Sequence, residues 1–182
     1  AVKGGKSYDT SMGMTPLEGI VMGTRSGDID AGIPKFLADN NGMSFADIDN
    51  ALNKQSGLFG ISGISSDMRD IEGAAKDGNA RAKLAIDVLR HRVLKYIGAY
   101  AIQLGRVDAI IFTGGIGENG IDFRASVVER LTALGIKLDA AANNARGKEV
   151  VISTPDSPIK VMVVPTNEEL VIARDTKDIV SK

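Results

Sequence analysis

The chain has 182 residues, 43% of them hydrophobic and 25% charged, with a formal net charge of −1. That is the make-up of a globular domain with room for a substantial core, and the near-neutral charge gives no reason to expect nucleic acid or an anionic membrane as partner. The lack of cysteine excludes a disulfide framework or thiolate metal site and points to the cytoplasm; one histidine, His91, leaves little room for imidazole chemistry, and no apolar run reaches membrane-spanning length.

Length alone predicts one domain. The sequence opens at Ala1 in strand-like residues without a methionine, as a cleavage product or fragment would. Residues 2–10 read as a strand broken by a turn at Gly4-Gly5, with residues 7–9 as the return arm. Residues 9–32 pack five glycines among short apolar pieces, and within them residues 16–22 read as one or two helical turns with Pro16 at the start. A helix over 33–40 stops at Asn40-Asn41-Gly42, and Ser44 with Asp47 has capping-box spacing for a helix to about 55. Residues 57–66, GLFGISGISS, read as a loop, after which Asp67 opens a helix to Lys76.

Asn79 caps the longest helix, from 80 to about 103, whose Leu84, Ile86, Val88, Leu89, Val93, Leu94, Ile97 and Ile102 suit burial over much of its circumference. Its lysines and arginines between 81 and 95 read as a solvated face, and His91 as a packing or surface residue. Residues 107–112 form a mostly apolar run expected to be a central parallel strand, followed by a glycine-dense loop and a helix over 123–134. Short strands are expected at 136–138, 149–152 and 159–164, and Thr166 is expected to cap a final helix from 167 to about 179. Strands alternating with helices define an α/β class.

Four segments carry possible chemistry. In residues 110–120, IIFTGGIGENG, a strand opens into glycines at 114, 115, 117 and 120, an arrangement that lets backbone N–H groups approach phosphate or a flat base. It lacks the lysine of a P-loop, and the acidic residue of a Rossmann reading falls only near Asp139, so a tight connection without ligand stays open. In MGTRSGDID, residues 22–30, Arg25 offers a planar fork for phosphate or carboxylate, or it pairs with Asp28 or Asp30 inside its own loop. Asp67, in Ser65-Ser66-Asp67-Met68-Arg69, reads equally as a helix cap. In residues 163–169, Thr166 as cap puts Glu169 at the reciprocal box position, leaving Glu168 to hold Mg²⁺ or to offset the helix dipole.

The segments DTSMGMTPLEGIVMGTRSGDID, SDMRD, FTGGIGENG and VPTNEELVIARD stand in the order and spacing of the acetokinase family, which this sequence resembles over essentially its whole length. The resemblance implies a ribonuclease-H-like α/β fold of the sugar kinase, Hsp70 and actin superfamily. In that family two such domains flank the active site and the C-terminal domains supply much of a homodimer interface. The implied reaction is reversible transfer of phosphate from ATP to acetate, giving ADP and acetyl phosphate, with Mg²⁺ required; propionate or another short-chain acid is the neighbouring alternative.

By matching motifs, the resemblance makes Arg25 the residue that binds acetate or phosphate and stabilises the transferring group. Pro16 would line the pocket for the acetate methyl. Asp67, Met68 and Arg69 would lie beside the adenosine, the loop Gly115, Ile116, Gly117, Glu118 and Asn119 would close over it, and Glu168 would bind Mg²⁺. The family's N-terminal domain, its catalytic histidine and its HLGNG phosphate loop have no counterpart here. The resemblance therefore makes residues 1–182 a C-terminal nucleotide-binding and dimerisation domain lacking its first strand, and on its own a noncatalytic folding or dimerisation module.

Overall fold

A computed structural model describes residues 1–181. The chain is α/β and divides into two compact units, Ala1–Val107 and Asp108–Lys182, where length alone predicted one.

The first unit opens with a hairpin: β1 (Val2–Lys3) pairs antiparallel with β2 (Lys6–Ser7). Gly4 and Gly5 have φ of 60° and 74°, the left-handed pair that a two-residue hairpin turn needs. The return arm is thus Lys6–Ser7, one residue earlier than expected. Five helices follow: α1 (Ile33–Asn41), α2 (Phe45–Lys54), α3 (Gly57–Ser62), α4 (Met68–Lys76) and α5 (Ala80–Leu104). Ser44 and Asp47 form both halves of the capping box, Asp67 caps α4, and Asn79 Oδ1 accepts from the Arg81 and Ala82 amides to cap α5. These three starts were legible because capping is local chemistry.

Three expectations fail in this unit. Residues 16–22 form bends and turns, not helix, because the Leu17 amide turns to Thr15 Oγ1 and the Gly19 amide to Asp28 Oδ1. Residues 57–62 are helical despite their glycines and serines. The amides of Leu58 and Phe59 donate to the carbonyls of Met22 and Gly23, and Leu58 is fully buried; burying one leucine contributes about 2 kcal/mol, more than the helix penalty of a glycine. Finally, α5 buries only Ala82, Ala85 and Leu89, with Leu84 and Ile102 exposed, so its apolar content is not a buried circumference.

The second unit holds a three-stranded sheet in the order β3 (Ala109–Phe112), β5 (Lys160–Val163), β4 (Val150–Val151). β3 is parallel to β5, Phe112 opposite Val163, and β4 is antiparallel. β3 is parallel as expected but lies at the sheet's edge, and β5, with Val161 and Val163 fully buried, is the central strand. The expected strand at 136–138 is reduced to one bridge, Leu138 to Ser153.

The glycine segment is itself a helix, α6 (Gly114–Asn119), followed by α7 (Ile121–Val128). The expected helix to Leu134 ends at Val128, and only a 3₁₀ turn, Thr132–Leu134, lies beyond. Asp139 caps the short α8 (Ala140–Asn143), and the unit ends with α9 (Glu168–Val180). No helix among the described residues is long and apolar enough to cross a membrane.

Candidate functional site

In the first unit the segment around Arg25 is a loop fastened by its backbone. Met22 donates to Arg25 O, Ser26 to Leu52 O, Ser56 to Thr24 O and Asp28 to Gly19 O, at 2.9 to 3.1 Å. Gly27 has φ 67°, and a Cβ there would sit 2.6 Å from the carbonyl oxygens of Gly19 and Ile20, so only glycine fits this close crossing. Asp28 anchors the loop to α5: it accepts from the Gly19 amide at 2.9 Å and from Tyr96 Oη at 2.7 Å, with Arg92 at 3.5 Å. Burial, and then the Asp28 carboxylate, push the Tyr96 hydroxyl up to about 12, so Tyr96 remains a donor at neutral pH.

With Asp28 engaged by Tyr96 and Arg92, the alternative of an ion pair from Arg25 to Asp28 or Asp30 is not realised. Arg25 is exposed and makes no ion pair among the described residues. An open cleft of about 540 Å³ borders the loop, lined by Thr15, Leu17, Glu18, Asp28, Ile29 and Tyr96, and Thr15 and Leu17 flank the exposed Pro16. The Gly23 backbone runs beside Ser66, where a Cβ would lie 3.1 Å from Ser66 O, so the Arg25 loop and the Asp67–Arg69 segment are neighbours. Arg69 pairs with Asp67, and this guanidinium holds the Asp67 carboxyl down at about 2; Met68 is buried.

The solvated face expected from the lysines and arginines of α5 is in fact partly structural. Arg81 donates to the carbonyls of Ile61 and Gly60 at the end of α3, Arg92 to Asp28 O, and Arg90 pairs with Asp87. His91 is exposed.

In the second unit, parallel pairing of β3 and β5 brings their C-terminal ends together. Thr113 and Thr166 hydroxyls lie 2.7 Å apart although 53 positions separate them. Glu118 Oε1 accepts from the Gly114 amide at 2.9 Å, the Thr166 amide at 2.9 Å and Thr166 Oγ1 at 3.1 Å. Those donors, the Thr166 amide first, hold the Glu118 carboxyl below the usual carboxylate range. Because the Thr166 hydroxyl is engaged here, it does not cap α9. Asn167 caps instead, accepting from Leu170 at 3.1 Å, so Glu168 and Glu169 become the first two residues of the helix.

Sequence reasoning missed Arg124. It is fully buried and makes five hydrogen bonds, to the carbonyl oxygens of Gly117, Glu118, Asn143 and Ala145 and to Asn143 Oδ1, at 2.8 to 2.9 Å. Its five bonds go to amide oxygens, four of them backbone carbonyls and two of those at the C-terminal end of α6, so its charge is spread over these dipoles. Burial, and then Arg146, lower its pKa, but a guanidinium stays charged at neutral pH. The available signal was its place in α7 among the apolar Phe123, Val127 and Val128, all of them buried.

Glu168 is exposed at the start of α9, and among the described residues no three His, Cys, Asp or Glu side chains gather as a metal cluster. A divalent ion here would therefore rest on one carboxylate with water or phosphate oxygens. That is the usual mode of Mg²⁺, and the residue fits it.

Residues 1–174 match the model of the acetokinase family. The chain belongs to the acetokinase family. It is 61% identical over 180 residues to the acetate kinase of Halothermothrix orenii, covering 99% of this chain and 45% of that protein. The crystal structure of Porphyromonas gingivalis acetate kinase superposes with a TM-score of 0.93 at 50% identity, over 98% of this chain and 45% of that one. A propionate kinase from Francisella tularensis gives a TM-score of 0.89 at 48% identity, over 95% and 44%. This acetokinase-family chain thus spans a little under half the length of these relatives.

Proposed function

We propose that this chain is the C-terminal, ribonuclease-H-like portion of an acetate kinase, lacking that domain's first strand, and that the whole protein transfers the terminal phosphate of ATP to acetate. The observation that supports this most is likeness to acetate kinases along nearly the entire chain, including every segment with chemically capable side chains. Acetate is ionised at neutral pH and needs no base, so the reaction rests on positioning and charge neutralisation.

Arg25 has the required form: an exposed guanidinium with no ion pair among the described residues, on a loop whose backbone is fixed from both sides. Its donors would hold the acetate carboxylate and the transferring phosphoryl group in line. Pro16 would border the acetate methyl, and Asp67, Met68, Arg69 and residues 115–119 would accommodate the nucleoside. Glu168 would hold Mg²⁺, which when bound neutralises phosphate charge. The same proposal includes a homodimer formed through this portion and a cytoplasmic location. It also holds that the 182-residue chain alone does not turn over, serving in isolation as a folding and dimerisation module.

The test is acetyl phosphate formation, trapped as the hydroxamate, by the whole protein carrying this sequence and by the 182-residue chain alone. ATP- and Mg²⁺-dependent product from the whole protein is expected; none there would overturn the reading, and turnover by the chain alone would overturn its assignment as a module. The likeness to a propionate kinase favours one second reading, decided by kcat/KM for acetate against propionate and butyrate.

A further inference from the structure

The Glu118 carboxylate is already committed. One oxygen takes the Gly114 amide, four residues back, and both the amide and hydroxyl of Thr166, 48 residues on. Thr166 Oγ1, donating its proton to Glu118, accepts in turn from the Gly114 amide at 3.2 Å and so takes the Thr113 hydroxyl as a donor at 2.7 Å. The three side chains form one closed knot between the start of α6 and the approach to α9. Arg124 fixes the other end of α6 through the Gly117 and Glu118 carbonyls, which leaves the Glu118 side chain a defined starting point.

The approach to α9 has little else to fix it. No residue of α9 is buried, and residues 166–170 are all exposed. With no core packing to set where this helix begins, directional hydrogen bonds must do so, and the Glu118 knot lies two residues before Glu168.

We propose that Glu118 is a positioning residue, a latch that fixes the Glu168 carboxylate relative to the glycine helix. This rests on the reading of Glu168 as the Mg²⁺ residue. With Oε1 taken by three donors the side chain is held in one orientation, and releasing it would remove the acceptor of two amides and one hydroxyl at once.

The test uses the whole protein with Glu118→Ala, Glu118→Gln and Thr166→Val. Glu118→Ala is expected to raise the Mg²⁺ concentration for half-maximal activity, and the dissociation constant of Mn²⁺ read by electron paramagnetic resonance, at least tenfold. Glu118→Gln, whose amide oxygen still accepts, should stay within about threefold of the parent. Thr166→Val, which keeps the backbone donor, should weaken the metal about threefold, and adding it to Glu118→Ala should cost nothing more, because both act through one knot. Amide exchange in residues 165–170 should quicken about tenfold in Glu118→Ala.

An unchanged metal constant with a tenfold higher KM for ATP, and a silent Thr166→Val, would make Glu118 a nucleotide contact and overturn the latch. Unchanged exchange at 165–170 would overturn it as well. If Glu118→Ala does not fold, Glu118→Gln and Thr166→Val carry the same comparison. A parent protein that forms no acetyl phosphate sinks the functional reading instead, while the exchange measurement still judges the latch.

Discussion

Two glycine-rich segments, residues 19–30 and 113–120, are held in opposite ways. The first keeps an irregular path and is fastened by backbone bonds to its neighbours, with Asp28 anchoring it to Tyr96 and Arg92. The second is wound into a helix whose ends are seized by charged side chains, Glu118 at the amides and Arg124 at the carbonyls. Glycine content therefore says only that the chain can bend freely; the partners at its ends decide whether it becomes a loop or a helix. In the first arrangement the segment's own arginine stays available. In the second, the charged groups are consumed in holding the shape.

That difference can be broken or sharpened by substitution. The largest effect is expected for Arg25→Ala, a loss of about 10³ in kcat in the whole protein, with little change in unfolding midpoint because the side chain is exposed and holds no ion pair among the described residues. Near-normal kcat would remove the contrast between an available and a consumed arginine. Next, Arg124→Met should destabilise by about 3–4 kcal/mol in urea unfolding, since it strands several buried carbonyls at once. Asp28→Asn should cost only about 1–2 kcal/mol: the amide can still accept from Gly19, but it turns a donor toward Tyr96 or Arg92. Equal losses for Arg124→Met and Asp28→Asn would show that the two segments are held alike after all.

The smallest effect concerns Asp67. Its folded pKa of about 2 lies below the ordinary 3.8, so its contribution to stability is complete above the ordinary value and is lost as pH falls toward 2. A carboxyl titration followed by NMR should show a midpoint near 2, moving up in Arg69→Gln; a midpoint at the ordinary value would remove the Arg69 pairing.

Local chemistry made much of this fold legible. The Ser44–Asp47 box, the Asp67 and Asn79 caps and the Gly4-Gly5 turn need only residues a few positions apart. What misled was non-local. Residues 57–62 are helical because Met22 and Gly23 receive their amides, and Thr166 fails as a cap because Glu118 takes its hydroxyl. Arg124 could not be read at all, since its acceptors are carbonyls that any sequence supplies. For the candidate site, Arg25 and Glu168 stood out by residue type and motif. Of the side chains that organise their surroundings, Asp28 stood out only as a partner for Arg25, and Tyr96 and Arg124 did not stand out.

The pairing of β3 with β5 acts as a ruler. Phe112 stands opposite Val163, and one residue beyond Phe112 the chain reaches Thr113, three beyond Val163 it reaches Thr166. A slip of one position between these strands would shift their ends by about 3.3 Å, farther than any of the bonds that join Thr113, Glu118 and Thr166 could stretch. Strand alignment and the placement of Glu168 are therefore one quantity. A mutation deep in the sheet, at Val161 or Val163, would be felt at the surface as misalignment long before the domain unfolded.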